Sequence, residues 1–123
     1  METSQEFIAR KNLEFQKKKP IKMKDISRKG FGIFEREAWT FMVQHNLNEK
    51  VFVIERLRRI EIRGKTSHEL LKIGDVEYRI GYYMIGKNGR VNGRWTWGQY
   101  CPLIPQEDFK KLIDKATKEG VIV

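Results

Sequence analysis

Cysteine is almost missing from this chain. Cys101 is the only one in 123 residues, so no intrachain disulfide can form. A reducing, cytoplasmic setting is the expectation. Histidine is nearly as scarce. His45 and His68 stand alone, far from the spacing that places two imidazoles on one helical turn around a metal. No apolar run approaches the roughly 18 residues of a membrane span, and the polar, acidic start Met1-Glu2-Thr3-Ser4-Gln5-Glu6 is unlike a secretory leader. Neither a P-loop nor a dinucleotide fingerprint is present. Gly86, Gly89 and Gly93 read as hairpin punctuation. These absences lead us to expect no metal, no cofactor and no membrane partner.

What the chain does have is positive charge, unevenly placed. The formal net charge is +9. Residues 8–29 hold nine Lys/Arg against Glu14 and Asp25, and residues 56–65 hold Arg56, Arg58, Arg59, Arg63 and Lys65 against Glu61. Residues 86–97 hold Lys87, Arg90 and Arg94 with no acid at all, whereas 105–120 is balanced, four against four. Clustered cations fit a polyanion partner, because phosphate neutralisation needs local charge surplus. Seven Phe, four Tyr and three Trp supply a core for one domain of ordinary size.

Residues 3–19 read as a basic arm or a thin helix. Thr3 and Glu6 have capping-box spacing, Phe7, Ile8 and Phe15 give a sparse apolar stripe, and Pro20 ends it. So little apolar surface leads us to expect a segment that is mobile or ordered only by a partner. The globular domain then spans 20–123. Residues 21–34 read as one or two short strands. Residues 35–47 are read as a helix from Ala38, Phe41, Met42 and His45, although Trp39-Thr40-Phe41-Met42-Val43 has strand propensity. Val51-Phe52-Val53-Ile54 is a strand buried on both faces, with a bulge expected near 56–58. Residues 68–73 read as a short strand or as a helical turn capped by Thr66 and Glu69; the strand is preferred, because Gly74-Asp75 then makes a tight hairpin into strand 76–85. That strand alternates, with Val76, Tyr78, Ile80, Tyr82 and Met84 on the face expected to be core. After a return strand, Pro105 starts a helix with the stripe Phe109, Leu112, Ile113 and Ala116, capped by Gly120.

The hairpin from Val76 to Cys101 carries cations and aromatics together, at Lys87, Arg90, Arg94, Trp95 and Trp97. Cations can hold phosphate and indoles can stack on bases. Loop length decides whether the tryptophans are core. A two-residue turn at Asn88-Gly89 pairs Tyr82 with Trp95 and puts both indoles on the apolar face. A five-residue loop pairs Tyr83 with Trp97 and puts them beside Arg79 and Gly81, on the more polar face, where a ligand could stack. The first register is preferred.

Lys29-Gly30-Phe31-Gly32-Ile33-Phe34 partly resembles the Lys-Gly-Phe-Gly-Phe-Ile motif of cold-shock domains, and Val51-Phe52-Val53 looks like the Val-Phe-Val motif that follows it there. The order agrees. The resemblance implies a small five-stranded barrel that binds single-stranded nucleic acid, with Phe31 and Phe52 stacking on bases and Lys29 reaching phosphate. The departures are specific. Ile33-Phe34 reverses the last two positions, Ile54-Glu55 replaces the family's His-Phe, and the gap between motifs is about twice the family's.

Catalytic arrangements are sparse. Cys101 could pair with a histidine, and Glu61, Lys65, Asp75 and Glu77 loosely suit a metal-dependent nuclease. The reading is therefore an α+β protein: an antiparallel meander of four to five strands packed by a C-terminal helix, with an OB-like barrel as the alternative. The expected function is a non-enzymatic nucleic-acid-binding or regulatory module acting through Lys29, Phe31, Arg56, Arg58, Arg59, Arg63, Lys87, Arg90, Arg94, Trp95 and Trp97. The alternatives are a factor that binds another protein, including an acidic protein surface, and, third, a small nuclease.

Overall fold

A computed structural model describes residues 1–24, 30–64, 71–98, 103–119 and 121–122. Helix α1 (Ser4–Gln16) opens on a capping box. The Thr3 hydroxyl accepts from the Glu6 N–H at 3.1 Å, and the Glu6 carboxylate accepts from the Thr3 N–H at 3.2 Å. Six strands follow: β1 (Ile21–Lys24), β2 (Phe31–Gln44), β3 (Leu47–Arg63), β4 (Val76–Ile85), β5 (Trp95–Trp97) and β6 (Leu103–Pro105). Helix α2 (Gln106–Lys118) ends the order, starting directly after Pro105. The strands pair antiparallel in the order β1-β2-β3-β4-β5, and β6 joins β4 at Glu77–Arg79. The sheet curls into a half-barrel, so the fold is an α+β meander with a C-terminal helix. Among the described residues no helix is long and apolar enough to cross a membrane.

The curl gives the sheet an inner and an outer face. Inside lie Val51, Val53, Glu55, Leu57 and Arg59 of β3, paired across to Glu77, Arg79, Gly81 and Tyr83 of β4 and to Trp39, Phe41 and Val43 of β2. Helix α1 lies on this face and inserts Phe7, fully buried, and Phe15. Phe7 stacks on Trp95 with centroids 4.7 Å apart and meets Tyr83 edge-on at 5.0 Å. The Trp39 indole donates to Asn12 Oδ1 at 2.8 Å, and the Trp95 indole to the Glu2 carbonyl at 3.1 Å, tying both ends of α1 to the sheet. Two rings and two indole hydrogen bonds thus anchor the helix, which corrects the expectation of a segment ordered only by a partner.

Other expectations change as well. Residues 35–44 are strand, because Trp39 to Val43 pairs continuously with Val51 to Glu55 of β3. The residues at helical spacing fall on both strand faces, Phe41 inward and Ala38 and Met42 outward, with His45 in the turn beyond. Glu37 has no partner between the pairs Arg36–Leu57 and Ala38–Arg56, so inward residues run 34, 36, then 39, 41 and 43. A second bulge falls at Ile60, beyond the expected 56–58. The apolar run 51–54 is buried on one face only; Phe52 and Ile54 are half-exposed on the other. Strand β4 pairs with β3, and residues 71–73, the described part of the expected strand 68–73, are not strand. Residues 65–70 lie outside the described residues, as do Cys101 and Gly120.

The core face of β4 is also the reverse of the expected one. Tyr78, Ile80 and Tyr82 face outward, and Ile80 is 40% exposed. Helix α2 meets this outer face through one ring stack, Phe109 on Tyr78 at 4.7 Å. No residue of α2 is buried; of its stripe Phe109 packs on the sheet face expected to receive it, while Leu112 and Ile113 stay exposed.

Candidate nucleic-acid interface on the outer sheet face

Strand alternation separates two polar groupings. The inner one is an ion-pair network. The Glu55 carboxylate, fully buried, accepts from Arg36 Nε at 3.0 Å and from Arg79 Nη2 at 2.9 Å to each oxygen. Farther along, Arg59 Nη2 donates to Glu77 Oε1 at 3.4 Å. Each guanidinium also covers a ring: Arg36 over Phe15 at 3.5 Å, Arg79 over Trp97 at 4.7 Å and Arg59 over Phe34 at 4.6 Å. Burial pushes the Glu77 carboxyl above its ordinary value, against the pull of Arg59. Burial, helped by the Glu55 charge, raises the Tyr83 phenol to about 12.

The outer grouping combines aromatics with cations that reach water. Phe52 of β3 and Tyr82 of β4 are direct cross-strand partners, both part-exposed. The Lys50 ammonium lies 5.2 Å from the Phe52 centroid and 4.8 Å from that of Tyr82. Next along the strands come Ile54 and Ile80, then Arg56 beside Tyr78. A shallow groove of about 230 Å³ runs here, lined by Ala38, Thr40, Ile54, Arg56 and Tyr78. At the far end Phe31 has the Lys22 ammonium 4.0 Å from its centroid and Arg63 5.9 Å away. Of the charged side chains on this face, Lys22, Lys50, Arg56, Arg58 and Arg63 outnumber Glu35, Glu37 and Glu61.

Several of these cations already have a carboxylate. Arg56 Nε donates to Glu37 Oε2 at 3.2 Å, Arg58 hydrogen-bonds the same carboxylate, and Arg63 Nε reaches Glu61 at 2.6 Å. The Arg58 hydrogen bond is the main reason the Glu37 carboxyl sits below its usual value, and the Arg63 hydrogen bond does the same for Glu61. Glu37 is the bulge residue, so the register break itself delivers the acid between two arginines.

The sequence-derived residues therefore divide. Phe31, Arg56, Arg58 and Arg63 share the outer face. Arg59 points inward to Glu77. Trp95 and Trp97 pair with Ile85 and Tyr83, the second of the two registers considered. That register does put them beside Arg79, but the face is the core under α1, so both indoles are packing. Lys87, Arg90 and Arg94 are exposed around a 3-10 turn at Gly89–Val91. Lys87 pairs with Glu49 at 2.9 Å, whereas Arg90 and Arg94 have no carboxylate partner among the described residues. Lys29 lies outside the described residues.

The nuclease grouping does not assemble. Glu61 is outside with Arg63, Glu77 is inside with Arg59, and Lys65 lies outside the described residues. Among the described residues no group of three or more His, Cys, Asp or Glu could hold a metal ion. Lys50, Tyr78 and Tyr82 joined the outer site unannounced. For the two tyrosines the signal was the alternation of β4, whose apolar face was assigned to the core; Lys50, on β3, had no such signal. No protein-family model, curated protein or solved structure matches the chain.

Proposed function

We propose that the chain is a nucleic-acid-binding module that uses the outer face of its sheet. The supporting observation is the meeting of Phe31, Phe52 and Tyr82 with Lys22, Lys50, Arg56, Arg58 and Arg63 on one surface. Ammonium and guanidinium groups contact phosphate, and part-exposed rings accept bases by stacking, worth roughly 1–3 kcal/mol per base. The exposed pairs of Arg56 and Arg58 with Glu37 are easily exchanged for phosphate, because ion pairs in water are weak. Arg90 and Arg94 extend the positive surface past the end of β4.

Anisotropy titrations of labelled single-stranded and duplex oligonucleotides, run at several salt concentrations, test this reading. Binding should weaken steeply with salt. The double variant Arg56→Ala/Arg58→Ala should flatten the log–log slope by roughly 0.7–0.9 per lost phosphate contact. Phe52→Leu and Tyr82→Leu should weaken single-strand binding while leaving that slope in place. No binding at low salt would refute the proposal and leave a protein partner as the better reading.

A further inference from the structure

Helix α2 has an apolar stripe with little to cover it. An amphipathic helix normally buries that stripe, yet α2 has no buried residue and holds the sheet through Phe109 on Tyr78. Leu112 is 52% exposed and Ile113 39%. The position of Leu112 matters. Counting along Gln106–Lys118, it is the central residue of the helix. Asp108 lies four residues before it and Lys115 three after, so the three share one face of the helix, and all three are exposed. The helix is acidic in its first turn, at Glu107 and Asp108, and basic in its last, at Lys115 and Lys118.

This pattern is self-complementary. In an antiparallel pair of identical helices related by a twofold axis, the central residue meets its own copy and each end meets the opposite end. Leu112 would then face Leu112, and Asp108 of each chain would lie beside Lys115 of the other. We propose that a second copy of this chain docks on α2 in that antiparallel arrangement, forming a twofold dimer whose apolar centre is Leu112 with Ile113 at its margin. A single helix pair buries less than the roughly 1,200–2,000 Å² of standard stable interfaces, so the dimer dissociates in the micromolar range. The proposal does not depend on nucleic-acid binding.

Sedimentation equilibrium on the full chain, over a concentration series from about 1 to about 300 µM, reads the outcome. The wild type should move from the mass of one chain to twice that mass. Leu112→Glu should stay at one chain mass while keeping the wild-type melting curve, since the side chain is exposed. Asp108→Lys and Lys115→Asp should each raise the dissociation constant by about tenfold or more, through like charges facing across the twofold. An equimolar mixture of those two variants should recover association, because every facing pair is again opposite in charge. A wild type that remains at one chain mass throughout overturns the proposal. So does a Leu112→Glu protein that still doubles, or a mixture that does no better than its components.

Discussion

The two faces of one sheet handle charge in opposite ways. On the inner face, Arg36, Arg79 and Arg59 are held by Glu55 and Glu77 and roofed by aromatic rings, with water largely shut out. On the outer face, Arg56, Arg58 and Arg63 also find carboxylates, but in the open, at side-chain exposures of 43–55%. The local geometry is alike: guanidinium against carboxylate at hydrogen-bond distance. Burial makes the difference. Inside, either partner alone would be an uncompensated charge in a poor solvent for it, so the pairing is compulsory. Outside, water replaces either partner at little cost, so the pairing is exchangeable. A composition count sees ten similar arginines; the fold sorts these six into structural ones and available ones.

The sharpest way to break this contrast is Glu55→Ala. It strands two buried guanidiniums and should lower stability by about 3–5 kcal/mol, visible as an early urea midpoint or as failure to fold. Double variants that also replace Arg36 and Arg79 with Met should recover part of the loss, since the stranded charges go too.

Glu77 offers a subtler test with a pH dependence. Its carboxyl is raised above the ordinary value of 4.5 in the folded protein, by burial first. The folded state therefore holds that proton more tightly than the unfolded chain. The associated stability is fully present at pH below the unfolded value and is lost as pH rises through the raised one. Glu77→Gln stays neutral throughout. Melting curves from about pH 4 to about pH 8 should show the variant gaining on the wild type as pH rises. A difference that is flat with pH would place Glu77 outside this balance.

The smallest effect on stability belongs to Glu37→Gln, which releases Arg56 and Arg58 on the outer face. The melting curve should not move. If the outer face binds nucleic acid, affinity should rise and its salt dependence should steepen, as two unencumbered cations meet phosphate. A marked loss of stability would show that the outer pairs are structural too, and the contrast between faces would collapse.

Much of the architecture could be read in the sequence. Thr3 and Glu6 mark the start of α1, Pro105 marks that of α2, and turn dipeptides bracket a hairpin. The sidedness of β4 could not be read, for a physical reason. Val76 to Met84 and Glu77 to Ile85 both alternate, and hydrophobicity favours burying the first set. Tertiary pairing decides otherwise, because Glu77 and Arg79 find partners on β3, Arg59 and Glu55, that no local pattern reveals. Phe7 and Phe15 were equally hidden. Two rings in thirteen residues look like too little apolar surface, until a concave sheet supplies Trp95, Tyr83, Trp39 and Phe41 to receive them. For the outer site, the cations at 56, 58 and 63 are legible, as are Phe31 and Phe52 through the cold-shock resemblance; Tyr78 and Tyr82 are not, because alternation assigns them to the core.

The unpaired residue at Glu37 also acts as a parity setting. Strand β2 presents Phe34 and Arg36 inward on even numbers, then Trp39, Phe41 and Val43 on odd ones. The change from even to odd is made in this one place. Deleting Glu37 would make the pairs Arg36–Leu57 and Ala38–Arg56 consecutive, so Trp39, Phe41 and Val43 would still face α1; what would go is the local kink in β2 and the carboxylate shared by Arg56 and Arg58. One residue more than the ladder needs thus hands an acid to the outer face while the inner face keeps its alternation.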